Sequence, residues 1–183
     1  PAPGRPEPDA GAAHARTARG PLRLVQFLYD LLYVLALVVG LPFFLLKIAT
    51  SRRWRSGLAQ RLGAVPAREG GRPCVWVHGV SVGEVLAART LVAAMKDAMP
   101  DWDVVISTTT RSGQEEARRS FPGYHLFYYP IDFSFITRRV LDRIRPDVVI
   151  LLELEIWPNF LLSTSRRGIP VFLVNGRITP RSV

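Results

Sequence analysis

Apolar positions fall along the 183-residue chain in two different rhythms. The first is one unbroken run. Phe27 to Leu46 (FLYDLLYVLALVVGLPFFLL) is apolar apart from Asp30, and a helix of about 20 such residues matches the roughly 30 Å hydrocarbon layer of a bilayer. Gly40 and Pro42 are tolerated in such a helix, and Tyr29 and Tyr33 suit a membrane interface. The run is too long for a cleaved secretory signal, and no A-x-A-like site follows it. It has too few polar positions for the core helix of a soluble domain. The pattern predicts a membrane anchor, either a single span or, through Pro42, a monotopic or re-entrant hairpin. Asp30 lies near one end, within expected reach of the headgroups.

The second rhythm begins at Cys74 and alternates. CVWVHGV predicts a strand, and Glu84 to Met99 a helix with apolar positions Val85, Leu86, Leu91, Val92 and Met95. WDVVISTTT, YHLFYYP, PDVVILLEL and IPVFLVNG predict four more strands. The helices between them begin near Ser112, at Asp132 (running to Arg145) and after Trp157-Pro158. Continuously apolar strands separated by helices imply a parallel sheet covered on both faces. The predicted fold is a doubly wound α/β domain preceded by a membrane helix.

Charge refines this organisation. The formal net charge is +9, which suits an anionic membrane surface, phosphorylated substrates or nucleic acid. Lys47, Arg52, Arg53, Arg55 and Arg61 follow the apolar run, whereas Arg16, Arg19 and Arg23 precede it. The heavier positive side is expected in the cytoplasm, at the inner membrane. Residues 1–21, rich in Pro, Ala, Gly and Arg, read as a disordered tail. Residues 22–47 form the anchor, 48–72 a basic juxtamembrane segment and 73–183 the α/β domain. In the juxtamembrane segment, arginines interleave with Trp54, Leu58 and Leu62 as in a short amphipathic helix on lipid. Without a helix-turn-helix, zinc-finger or RNA-binding signature, nucleic acid is not an expected partner. The single cysteine, Cys74, excludes an internal disulfide and is expected to be a buried thiol. His14, His78 and His125 are scattered, so no metal site is expected. Neither a G-x-G-x-x-G turn nor a G-x-x-x-x-G-K-[ST] loop is present. The chain stops at Thr179-Pro180-Arg181-Ser182-Val183 without a closing element, and a C-terminal continuation is expected.

The polar clusters all follow predicted strands: His78–Glu84, Thr108–Gly113, Tyr129–Asp132, Glu153–Asn159 and Asn175–Arg177. In a parallel sheet these carboxyl ends share one edge, where ligands of such folds bind. Within them, Ser81-Val82-Gly83-Glu84 has capping-box spacing, so Glu84 is either a helix cap or a general base, and Gly79 and Gly83 permit close approach. Glu153 and Glu155 are expected on one side of a strand end. There they would hold cations such as Arg177 or Arg111, grip sugar hydroxyls or organise charge in a transition state. Trp157 is placed to stack on a sugar or pack against the helix after it. Thr110 and Ser112 stand at a helix start suited to phosphate, with Ser112 as the alternative N-cap. Asn175 and Arg177 offer an amide and a guanidinium able to bind phosphate. His78 is either a base or a locally bonded strand-end residue.

In order, VHGVSVGE, STTTRSG, YYPID, PDVVILLELEIWPN and NGRITPRS resemble the 3-deoxy-D-manno-octulosonic acid (Kdo) transferases of lipopolysaccharide synthesis. The resemblance runs from the apolar segment to the last residue. Gly176, where the family more usually has Ala, and Arg111-Ser112, where it has Pro-Thr, depart from the pattern. The resemblance implies the Rossmann-like N-terminal half of a two-domain GT-B glycosyltransferase, inverting and free of metal or other cofactor. It implies transfer of Kdo from CMP-Kdo to the tetra-acylated lipid A precursor. Glu84 would be the general base and Glu153 the carboxylate supporting the transition state. Ser81, Gly83, Thr110, Ser112, Glu155, Trp157, Asn175 and Arg177 would contact substrate. The donor domain would lie in the continuation, so this piece alone would be inactive. A GT-B enzyme with another nucleotide sugar, or a non-catalytic membrane-tethered sugar- or phospholipid-binding domain, are the alternatives.

Overall fold

A computed structural model describes residues 19–51, 55–153 and 156–174. Among the described residues, eleven elements follow one another. A long apolar helix α1 (Arg19–Thr50) leads to a single-turn α2 (Leu58–Arg61). Then come β1 (Cys74–Gly79), α3 (Val82–Ala98), β2 (Asp103–Thr108), α4 (Arg111–Ser120), β3 (His125–Tyr128), α5 (Ser134–Ile144), β4 (Val148–Leu152), α6 (Pro158–Arg166) and β5 (Val171–Val174). The five strands form one parallel sheet in the order β3-β2-β1-β4-β5. The predicted doubly wound α/β fold is therefore present, with an apolar helix ahead of it.

Strand alternation divides the core between the two faces of the sheet. Val75, Val77, Val104 and Ile106 pack with Val85, Ala88 and Val92 of α3 and Ala117 of α4. Trp76, Val105 and Phe127 pack with Val140, Leu141 and Ile144 of α5 and Phe160 of α6. Trp76 is wholly buried at the centre of the second face, with Phe127 and Phe160 ring centroids 5.2 and 5.1 Å away. Cys74 is the expected buried thiol, and burial pushes its pKa up to about 12. At the amino edge of the sheet, Arg68 pairs with Asp103 at 2.7 Å and donates to the Ile144 carbonyl at 2.9 Å. That pair fastens the chain ahead of β1 to β2 and α5. The edge strand β5 differs from expectation, because Phe172, Leu173 and Val174 stay exposed among the described residues.

Two helix starts differ from the sequence expectation for a physical reason. Helix α5 begins at Ser134, because Asp132 serves the next helix instead: its carboxylate accepts from the Asn159 and Phe160 amides at 2.9 and 2.8 Å. The cap for α5 comes from Asp30, whose Oδ1 accepts from Ser134 N at 2.8 Å. Asp30 thus binds the domain rather than reaching for headgroups. Helix α4 begins at Arg111, with Thr110 as N-cap accepting from Gly113 N at 3.0 Å. Ser112 is exposed within its first turn.

His78 sits on β1 beneath the carboxyl edge. It is wholly buried, with Nδ1 2.9 Å from Ser107 Oγ and its ring stacked 4.0 Å from Tyr129. Burial lowers its pKa to about 3, so it is neutral over the physiological range and locally bonded rather than poised as a base. Below the ordinary value near 6.5, the unfolded chain takes up a proton that the folded chain refuses. Stability is therefore complete above about pH 6.5 and is lost as pH falls toward 3, by on the order of 1.4 kcal/mol per pH unit. His78→Gln is expected to flatten this acid limb of thermal midpoint against pH. An unchanged acid limb would contradict the assignment.

Candidate active site at the carboxyl edge of the sheet

The chain winds outward from β1 to β2 and β3, then returns to place β4 on the other side of β1. Open α/β sheets form their ligand crevice beside such a reversal, outside the carboxyl ends of the strands. By that rule the position for a ligand in this sheet falls between the turn after β1, which carries Glu84, and the end of β4, which carries Glu153. Gly79 makes the approach possible. A Cβ there would stand 3.2 Å from Glu84 Cβ and 3.4 Å from Leu152 Cδ1.

Glu84 lies in the first turn of α3 and is 8% exposed. Its Oε2 accepts from the Val80 amide, and its Oε1 accepts from the Ser81 hydroxyl at 2.8 Å. The expected capping box is not formed, because Glu84 binds the amide of Val80 rather than that of the N-cap residue Ser81. Ser81 is the N-cap residue, but its side chain binds the carboxylate instead of a backbone amide. Each carboxylate oxygen accepts one bond here and has a second lone pair. The geometry thus ties Glu84 to its own turn while leaving one lone pair on each oxygen.

The Val80 peptide joins this turn to the next. Its carbonyl accepts from Thr110 N at 3.1 Å and from Thr110 Oγ1 at 2.9 Å. Gly113 closes the contact: a Cβ there would meet Thr110 Oγ1 at 2.9 Å and the Val80 carbonyl at 3.0 Å. Deeper in, Thr108 Oγ1 donates to Gln114 Oε1 at 2.6 Å. Ser81 and Thr110 are half-buried, and Gly83 and Ser112 are exposed. Ser81, Gly83, Thr110 and Ser112 are therefore brought together on adjoining turns.

On the other wall, β4 ends at Leu152, and Glu153 takes a left-handed conformation with φ 64°. For a residue with a side chain this costs about 1–2 kcal/mol. The Glu153 amide still donates to Val174 O at 2.9 Å, while its side chain is exposed. The sharp bend ends the strand alternation that was expected to carry through to Glu155. Arg111 is not its partner either, since it pairs with Glu115 at 2.8 Å. Trp157 is half-buried, its ring 5.6 Å from Tyr129. Glu155, Asn175 and Arg177 lie outside the described residues.

Sequence reasoning passed over Arg61. It was expected on lipid among the juxtamembrane arginines. Instead its guanidinium lies 4.7 Å over the Tyr128 ring and donates to the Thr109 and Ser56 carbonyls. Gly57 (φ 69°) lets the segment come this close, for a Cβ there would overlap the Tyr128 ring. The signal available was Ser56-Gly57, a turn ahead of a short apolar-basic helix. Asn159 was also passed over, although it stands in the quoted E-x-E-x-W-P-N segment. Its Nδ2 donates to Asp132 O at 2.6 Å and to Asp30 Oδ1 at 2.9 Å.

Residues 56–183 match the model of a family described as 3-deoxy-D-manno-octulosonic-acid transferase (kdotransferase). The 3-deoxy-D-manno-octulosonic acid transferase of Chlamydia pneumoniae is 33% identical over 164 residues, covering 88% of this chain and 38% of that protein. The enzyme of the same name from Haemophilus influenzae is 31% identical over 163 residues, covering 86% and 37%. A probable mitochondrial counterpart in Arabidopsis thaliana is 29% identical over 170 residues, covering 88% and 37%. The chain thus spans less than two fifths of the length of these relatives.

Two glycines of the site separate packing from ligand access. Gly113→Ala is expected to force the Thr110 and Val80 turns apart and cost about 1–3 kcal/mol, the range for overpacking. At Gly83 the nearest atom to an added Cβ is Ser81 Oγ at 3.9 Å. Gly83→Ala is therefore expected to stabilise α3 by up to about 1 kcal/mol. Chemical denaturation of the two variants checks both signs, and equal losses would contradict the packing described.

Proposed function

The chain belongs to the Kdo transferase family, whose members act in lipopolysaccharide biosynthesis, and on that premise we propose that it forms the acceptor-binding half of an inverting GT-B glycosyltransferase. The enzyme transfers Kdo from CMP-Kdo to a hydroxyl of the tetra-acylated lipid A precursor, on the cytoplasmic side of the inner membrane. The observation that carries the reading is the placement of Glu84, a carboxylate in a small-residue turn beside the β1–β4 crevice. Glu84 takes the proton of the acceptor hydroxyl as its oxygen bonds to the anomeric carbon of Kdo. The bond from that carbon to the CMP phosphate breaks, and CMP leaves with the electron pair from the opposite face. Positioned base catalysis of this kind contributes roughly 10²–10⁴-fold. Holding acceptor and donor in line supplies much of the remainder.

Glu153, on the facing wall, supports the developing charge. Its left-handed backbone supports this assignment, because strain of that sort gathers at functional sites. Ser81, Gly83, Thr110, Ser112 and Trp157 line the acceptor side, and Glu155, Asn175 and Arg177, which lie outside the described residues, are assigned contacts to substrate as well. The residues that hold CMP-Kdo belong to the part of the relatives that this chain does not span, so the piece alone is inactive. From Leu22 to Thr50, helix α1 is long and apolar enough to cross a membrane. It holds the enzyme where its lipid acceptor resides.

One observation favours a second reading, a non-catalytic sugar- or phospholipid-binding domain in which Glu84 is only a cap: both of its oxygens already accept local hydrogen bonds. Glu84→Gln in the full-length protein separates the two. The Gln amide accepts from Val80 N–H through its oxygen and donates to Ser81 through its nitrogen, so the fold is kept while the proton acceptor is lost. Turnover is expected to fall at least about 100-fold, with the melting temperature near that of the unaltered protein. Near-normal turnover with a lowered melting temperature would establish the cap instead.

A further inference from the structure

The apolar helix is tied to the α/β domain at both ends. At the amino-terminal end, Gln26 Nε2 donates to Ser163 Oγ at 2.9 Å, and its Oε1 accepts from Arg166. One turn later, Asp30 accepts from Ser134 N at 2.8 Å, from the Ser134 hydroxyl and from Asn159 Nδ2 at 2.9 Å. Another turn on, Tyr33 Oη donates to Asp132 Oδ2 at 3.3 Å, and its ring meets Phe133 edge-on at 5.6 Å. Spacings of four and three residues put Gln26, Asp30 and Tyr33 on one stripe of α1. That stripe faces α5 and α6.

Beyond the carboxyl-terminal end of α1 the chain meets the domain again at Ser56. Ser51 N donates to Lys47 O at 3.0 Å, and Arg55 N donates to Ser51 O at 3.3 Å, so Arg55 lies beside the helix end. The next residue, Ser56, bonds Tyr128 Oη through Oγ at 2.7 Å. Gln60 Oε1 accepts from Tyr128 N at 2.9 Å, and Arg61 O accepts from Ile131 N at 2.9 Å.

Between these attachments, Val34 to Leu46 is exposed apart from the half-buried Gly40 and Phe44, with Val38 at 63% and Val39 at 76%. The attachment points, Tyr128 and Asp132, stand four residues apart in the chain. Even fully extended, four residues reach only about 14 Å. A helix that crosses a bilayer separates its flanks by the hydrocarbon layer, about 30 Å. Gln26 instead docks on α6, and Tyr33 docks on the loop that Ser56 also meets, so both sides of the exposed stretch lie on one domain; as a helix, Val34 to Leu46 is only about 20 Å long.

Resting on the reading of α1 as a lipid anchor, we infer that α1 does not cross the bilayer. It is monotopic, seated in the leaflet that faces the domain, and its amino-terminal flank lies on the same side as the α/β domain. Its occupant is lipid, for three reasons. The exposed face is continuous and wholly apolar. The polar side chains of the docked stripe are already paired by the domain, which removes the cost of setting an acid against hydrocarbon. Both flanks are basic: Arg16, Arg19 and Arg23 before, Lys47, Arg52, Arg53 and Arg55 after. Positive residues stay on the cytoplasmic side, so a same-side topology accounts for both clusters, whereas a span accounts for one. A consequence follows for the site. The loop that Tyr33 and Ser56 both meet, Tyr128 to Ser134, belongs to the carboxyl edge of the sheet, so the candidate crevice is held at the lipid surface.

Thiol labelling of the full-length protein in bacterial spheroplasts tests this topology without reference to activity. One variant carries Ala13→Cys ahead of α1, and another carries Arg118→Cys on the exposed side of α4. Cys74 is buried and stays silent. A membrane-impermeant maleimide is expected to label neither position until the membrane is permeabilised, and then both. Labelling of Ala13→Cys but not Arg118→Cys in intact spheroplasts would establish a span and overturn the inference. Labelling of both from outside would leave the monotopic topology standing and overturn the cytoplasmic placement proposed above. After an alkaline carbonate wash the protein is expected in the membrane pellet. Release into the supernatant would mean that protein rather than lipid covers α1, and would also overturn the inference.

Discussion

The peptide of Val80 is the constraint on which the candidate site depends. Its N–H is given to Glu84 and its C=O accepts twice from Thr110. One residue thereby fixes the carboxylate against the end of β1 and the turn after β1 against the turn after β2. The arrangement works only because Gly79 and Gly113 carry no Cβ where Glu84 and the Val80 carbonyl need the space. The Val80 peptide is half-buried with both partners supplied and resists displacement, since breaking either bond leaves a polar group poorly reached by water, at a cost of up to about 1–3 kcal/mol. Preorganisation of this kind lets a carboxylate act without being reoriented during the reaction.

A second polar junction works at a different scale. Asp132 caps α6, Asp30 caps α5, and Asn159 bridges the two acids. The start of α6 directly follows Trp157, so the wall of the crevice opposite Glu84 is positioned partly by the apolar helix. Burial raises the Asp132 pKa to about 6, although the α6 amides and Tyr33 hold it down in part. A carboxyl kept in place at that cost indicates that the cap and the bridge offset the desolvation. The anchor and the site are in this way parts of one hydrogen-bonded unit.

The fold was legible in the chain because each strand reads as an uninterrupted apolar run and each helix as a periodic one. VWV, DVVIS and VVILL leave little alternative to a buried parallel sheet, and strands of one direction necessarily gather their polar ends on one edge. Ser81 and Glu84 were legible as a pair because capping spacing is local. What could not be read were contacts between residues far apart in sequence. Nothing near Asp30 says that it caps a helix beginning 104 residues later, so it was assigned to headgroups. Arg61 looked like one more basic residue of a lipid-facing segment, and only the glycine beside Ser56 hinted that the chain turns inward to Tyr128. Strand alternation likewise could not foresee that Glu153 leaves the sheet with a positive φ.

The central claim is that an acceptor hydroxyl enters the crevice between β1 and β4 and meets Glu84 there. A structure of the full-length protein with the lipid A precursor and an unreactive CMP-Kdo analogue tests it most directly. The account predicts the acceptor hydroxyl within about 3 Å of a Glu84 carboxylate oxygen, on the side away from Val80 and Ser81. An acceptor bound elsewhere on the sheet edge, with Glu84 still closed on its own helix and no sugar beside it, would contradict the account.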